Sequence, residues 1–235
     1  MESLVDWSMS LLIYSAIFWV VAIISSILQH RYPDVAVASY QTVVKAIPTL
    51  LALGYVIYAL PSGSLFYILL GIALFFCMLG DVAIEKDIIP GIGMFLFAHL
   101  FFTVNFLLQA VSLVLDFTNM LIAIACLGGF VVFVFLFIRY LQASGPEVPD
   151  FVLKAGSFYF ILVSATISTS LLLWLTTGAL WGFLPVIGAI FFIISDSIIA
   201  INEFHHKLSK PELLIMPTYY LAIFLLSLSV FAYIF

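Results

Sequence analysis

The sequence predicts an all-α polytopic membrane protein of eight transmembrane helices, one transmembrane domain over residues 1–235. Three observations carry that expectation. Of the 235 residues, 66% are hydrophobic and 8% are charged, whereas a soluble domain carries about a quarter charged residues. The apolar residues gather in runs of about 20, the length needed to cross a hydrocarbon core. Short polar breaks with turn chemistry separate the runs.

The first run, Met9–Leu28, is flanked by Glu2 and Asp6 and is followed by no small-residue cleavage site, so it is expected to be a retained span rather than a signal peptide. The break His30-Arg31-Tyr32-Pro33-Asp34 leads to the second, Thr42–Leu60, which Lys45 enters one turn before Pro48. Pro61-Ser62-Gly63-Ser64 turns the chain into the third, Ser64–Val82, which Gly80-Asp81 closes. Gly91 opens the fourth, Ile92–Ala110, with His99 about 12 Å further in. The fifth, Met120–Ile138, precedes Ser144-Gly145-Pro146; the sixth, Ala155–Leu173, follows Lys154. The seventh, Leu180–Ile201, contains Ser195-Asp196-Ser197, and the eighth, Leu213–Ile234, begins after Lys210-Pro211.

Basic residues are retained in cytoplasmic loops. Arg31, Lys45, Lys86, Arg139, Lys154, Lys207 and Lys210 all lie in or within about a turn of the odd-numbered loops, which are therefore expected in the cytoplasm, with both termini on the opposite side. Each half also has a Pro-Asp pair before its second span, a lysine entering that span and an aspartate near the end of its third. These are the marks of a possible four-plus-four parallel repeat.

A net charge of −5 without a basic cluster excludes DNA and RNA as partners. Cys77 and Cys126 lie inside apolar runs and imply neither a disulfide framework nor a metal site. No Gly-x-Ser-x-Gly elbow, His-Glu-x-x-His motif or Walker loop is present, which leaves serine and zinc hydrolysis without support. His205-His206 with Glu203 reads as solvated loop, and Ser164/Ser168 as a helix-packing stripe.

Four ionisable groups at membrane depth demand a reason, because inserting a charged side chain costs roughly 2.5–3.5 kcal/mol. They are Lys45, Asp81, His99 and Asp196, all placed by the topology in the cytoplasmic half. That convergence predicts one pocket, with Phe95 and Phe102 beside His99 at i−4 and i+3 and Glu203 two turns above Asp196. An apolar cleft with polar groups at its mouth suits an amphiphile. Structural readings stay open: Lys45 can snorkel to the interface, Asp81 can belong to a loop, and a His–Asp hydrogen bond can join two helices.

The pattern resembles the YhhN-type lysoplasmalogenase family, multi-spanning enzymes that cleave the vinyl ether bond of lysoplasmalogens. The resemblance rests on Lys45-x-x-Pro48, Gly80-Asp81, Gly91 with Phe95 and His99, Tyr159, the segment Phe191 to Phe204 with Ser195-Asp196, Asn202 and Phe204, and Leu214 to Tyr220. It departs at Ile84-Glu85, Phe102 and Ile223, where the family commonly has other residues. It implies catalysis by Asp81 and Asp196 aided by His99, and substrate binding by Lys45, Phe95, Tyr159, Asn202 and Tyr219. It further implies a lysophospholipid substrate drawn from the membrane lipid, no metal or organic cofactor and, in a eukaryotic cell, the endoplasmic reticulum.

Vinyl ether hydrolysis needs a general acid and a negative charge near an oxocarbenium ion, roles that two carboxylates can divide. Asp196, the deeper residue, is assigned as the acid and Asp81 as the stabilising carboxylate, an order that can be reversed. Lys45 either neighbours Asp81 or holds the substrate phosphate. A proton-coupled transporter also uses buried Asp, His and Lys, and a silent lipid-binding protein is the third reading.

Overall fold

The computed structural model describes residues 2–31, 38–60, 64–144 and 148–233. The Pro33-Asp34, Pro61-Ser62-Gly63 and Gly145-Pro146 breaks lie outside them, as do Ile234 and the side chains of Glu2 and Asp6. The helices are α1 (Glu2–Arg31), α2 (Ala38–Ala59), α3 (Leu65–Ile84), α4 (Ile88–Val111), α5 (Phe117–Ser144), α6 (Asp150–Thr177), α7 (Phe183–Phe204), α8 (Glu212–Ser227) and the single turn α9 (Ser229–Ala232). Eight are long and apolar enough to cross a membrane, α8 together with α9 forming the last span. Among the described residues there is no strand.

Several helices outrun the apolar stretches that predict them. α4 starts at Ile88 rather than Ile92 because Asp87 caps it, its side chain accepting from the Ile89 N–H at 2.9 Å. α6 starts at Asp150 rather than Ala155 and runs to Thr177, where Gly178 in the left-handed region (φ 62°) donates its N–H to Trp174 O at 2.9 Å. α7 starts later than expected, at Phe183, because the Gly182 N–H closes a turn onto Ala179 O at 3.0 Å. Hydropathy measures what sits in hydrocarbon, whereas a helix ends where its orphan backbone groups find other partners.

Neighbour packing arranges six helices in a closed ring: α2 on α3, α3 on α4, α4 on α6, α6 on α7, α7 on α8 and α8 back on α2. The remaining two stand outside it, α1 against α2 and α8, and α5 against α6. The halves correspond, since the first helix of each flanks its second and the second and third pack as neighbours. The outer helices show apolar surface, as at Leu12, Ile124, Phe135 and Leu136, each more than half exposed. Lipid contact makes that surface inexpensive.

Pro48 explains how α1 and α8 grip the start of α2. Proline has no N–H to give the carbonyl four residues back, so Val44 O takes its bond from Ser25 Oγ on α1 at 3.0 Å. Tyr220 of α8 donates its hydroxyl to Lys45 O at 3.1 Å and lies 2.7 Å from Ser25 Oγ. α1 and α8 thereby fix the backbone that carries Lys45.

Candidate functional site

Two polar rungs join α2 to α3. Lys45 Nζ pairs with Glu85 Oε1 at 2.7 Å, and one turn deeper Thr49 Oγ1 donates to Asp81 Oδ2 at 2.6 Å. Because antiparallel neighbours advance in opposite directions, residues four apart on each helix meet as successive pairs. Asp81 is fully buried and its Oδ1 has no hydrogen-bond partner among the described residues. The Tyr219 hydroxyl stands beside this carboxyl group, 3.5 Å from Thr49 Oγ1.

Asp196 projects from α7, opposite α3 in the ring. The Tyr159 hydroxyl of α6 donates to its Oδ2, so in each half the second helix gives a hydroxyl to the aspartate of the third. Ser195, beside it, donates to Ile215 O of α8 at 3.3 Å. Between the two aspartates lies an aromatic cluster. Phe192 meets Phe95 edge-on at 5.7 Å, Tyr219 at 5.5 Å and His99 at 4.4 Å, and His99 meets Tyr159 at 5.8 Å. Cys77 is buried within electrostatic range of both carboxyl groups.

Gly80 makes room for this cluster, since a Cβ there would lie 2.7 Å from the Phe95 ring. Gly91 does the same for the joint between α3 and α4, where a Cβ would lie 2.8 Å from Ile84 Cα.

The expected single pocket is instead two adjoining spaces at the end of the bundle that carries the odd-numbered loops. A polar vestibule of about 1140 Å³, its open mouth included, is bordered by Lys45, Glu85, Asn202, Glu203 and Glu212. An apolar cleft of about 610 Å³, likewise with its opening, lies between α4, α5, α6 and α7 and contains Phe95, Tyr159 and Asp196. Ile84, Ile88 and Ile199 border both. Asp196, at 9% exposure, reaches the cleft, while Asp81 and His99, both at 0%, stand behind the walls.

Other expected residues fall as follows. Phe102 is fully buried against His99 and Phe106 and is not a cleft wall. His99 bonds neither aspartate: its Nδ1 lies 3.0 Å from Thr166 Oγ1, and Nε2 has no partner among the described residues. Asn202 borders the vestibule, yet its amide is engaged in holding the loop after α7, Oδ1 accepting from the Leu208 N–H at 3.0 Å and Nδ2 donating to Glu203. Lys45 pairs with Glu85 while remaining within electrostatic range of Asp81. Sequence reading missed Thr49, Thr166 and Phe192 as partners. Each had a helical signal, at four residues after Lys45, seven after Tyr159 and four before Asp196.

Fold and site together define a polytopic membrane protein that buries two carboxyl groups beside an amphiphilic space. The chain belongs to the YhhN family, whose model matches residues 40–230. It is also similar to human lysoplasmalogenase TMEM86B, 28% identical over 201 residues that cover 84% of this chain and 78% of the relative. No solved structure matches it.

Proposed function

We propose that this protein is a lysoplasmalogenase of internal membranes, the endoplasmic reticulum in a eukaryote, hydrolysing the vinyl ether of a 1-alkenyl lysophospholipid. The observation that carries this reading is the junction at Ile84, Ile88 and Ile199, with Asp81 one turn below the vestibule and Asp196 inside the cleft. A zwitterionic head group rests in the vestibule, its phosphate competing with Glu85 for Lys45, and the single alkenyl chain lies in the cleft. The reactive double bond then falls at the junction, where Ile84 and Ile199 stand one helical turn from Asp81 and Asp196 respectively. The likeness to the human enzyme supports the same substrate class.

In the proposed reaction the Asp196 carboxyl group delivers its proton to the outer alkene carbon, and the alkene's π electrons form the new C–H bond. The resulting oxocarbenium ion is stabilised by the Asp81 carboxylate, as glycosidase carboxylates stabilise a similar cation. Water adds to the cationic carbon and gives up a proton to a carboxylate. The hemiacetal collapses as its hydroxyl gives its proton to the carboxylate, its C–O bond to glycerol breaks and the carboxyl group protonates the departing glycerol oxygen, yielding a fatty aldehyde and a glycerophospho-base and restoring the starting carboxyl group. Apolar walls suit the step because charge–charge stabilisation strengthens where water is excluded.

Purified protein supplied with lysoplasmalogen should release aldehyde, and Asp81→Asn and Asp196→Asn should each abolish release while leaving membrane insertion intact. The double variant should be hardly worse than either single one, since residues acting as a unit are non-additive. Substantial aldehyde release by either variant removes that aspartate from the mechanism.

A further inference from the structure

We propose that Gly156 is the aperture that admits the substrate's hydrocarbon chain, and thus a specificity-determining residue; this rests on the lysoplasmalogenase reading. Gly156 lies about 9 Å into α6, on the cleft-facing stripe that runs from Val152 to Tyr159 and Phe160. It is the one position of that stripe without a side chain, one turn before the tyrosine that bonds Asp196.

Packing does not explain this glycine. At Gly80 and Gly91 an added Cβ would collide with Phe95 or Ile84, whereas at Gly156 nothing stands within 4 Å of it. Glycine inside a helix is disfavoured relative to alanine, so neither packing nor helix propensity accounts for a glycine at this position. Gly54, Gly93, Gly128 and Gly129 have equal room, but they lie off the cleft wall. A helical side chain leans toward the N-terminal end of its helix. From position 156 it would therefore lean back toward the start of α6 and across the space leading to Asp196.

The occupant is a single unbranched alkenyl chain. Its polar end is accounted for by the vestibule, which shares Ile84, Ile88 and Ile199 with the cleft. The cleft wall beyond that junction is apolar apart from Tyr159 and Asp196.

The test is the series Gly156→Ala, Gly156→Val and Gly156→Phe, assayed on long-chain and short-chain 1-alkenyl glycerophosphoethanolamines, with the thermal midpoint of each variant measured alongside. The expected result is a stepwise fall in kcat/KM for the long chain, reaching about a hundredfold for Gly156→Phe. Short-chain turnover should stay near wild type, and no variant's thermal midpoint should fall well below it, with Gly156→Ala at or above wild type. Equal loss on both substrates, or wild-type long-chain activity in Gly156→Phe, overturns the proposal. Should the wild type release no aldehyde, the lysoplasmalogenase reading fails by itself. Binding of a non-cleavable 1-alkyl lysophospholipid then decides the aperture: binding by wild type and loss in Gly156→Phe sustains it, and equal binding or none in either overturns it.

Discussion

Among the described residues Thr49 Oγ1 donates to Asp81 Oδ2 and the carboxyl group's second oxygen has no partner. Native structures seldom leave a buried acceptor open without a use for it. Thr49→Val removes the one donor while keeping the shape, and should cost about 1–2 kcal/mol, read as a lower midpoint in denaturant unfolding of the detergent-solubilised protein. An unchanged midpoint would mean that Asp81 relies on another group, with Tyr219 the nearest. Lys45→Met should destabilise slightly more than the double variant Lys45→Met/Glu85→Gln, because the single change leaves the Glu85 carboxylate, its side chain 24% exposed, without its cation. Lys45, Asp81, His99 and Asp196 were legible from sequence because an ionisable side chain in an apolar run is anomalous. Thr49 and Thr166 carried only a helical spacing, which does not set them apart from membrane threonines that satisfy themselves on their own helix, as Thr169 and Thr176 do on Ala165 O and Leu172 O.

Among the elements, the close approach of α3 to α4 depends on two glycines with different neighbours. The Gly80 obstacle is the Phe95 ring, a side chain that can be exchanged, whereas the Gly91 obstacle includes the Ile84 backbone. Each change to alanine overpacks the joint and should cost about 1–3 kcal/mol, with Gly91→Ala the worse. Phe95→Leu should recover stability lost to Gly80→Ala and none of that lost to Gly91→Ala, as thermal unfolding of the four variants would reveal. Hydropathy marked every span, but it missed the start of α4, which the Asp87 side chain caps at Ile89, and the start of α6, where Asp150 stands in the first turn after Pro149.

For the whole molecule, the ring sets Asp81 and Asp196 on opposing helices, and the borders of the two spaces bring the helix ends that flank the odd-numbered loops to one end. The sequence expectation that this end is cytoplasmic can be read in sealed vesicles with a membrane-impermeant thiol reagent. In a Cys126→Ala background, single cysteines replacing Lys86, Arg139 and Lys207 should react from the cytoplasmic side, and those replacing the highly exposed Val114 and Leu180 only from the other. Labelling of both sets from one side would overturn the orientation and the access route proposed for the substrate.

Composition and run length by themselves determined that the chain is helical, that it spans a membrane eight times and which side chains stand at unusual depth. These properties follow from the energy of each residue in hydrocarbon, which does not depend on what lies beside it. Which helices form the ring, that Lys45 meets Glu85 while Thr49 meets Asp81, and that vestibule and cleft share three bordering isoleucines were decided only by tertiary structure. Helices in lipid choose partners through close packing and hydrogen bonds between surfaces far apart in sequence, and periodicity along one helix does not reveal the surface it will meet.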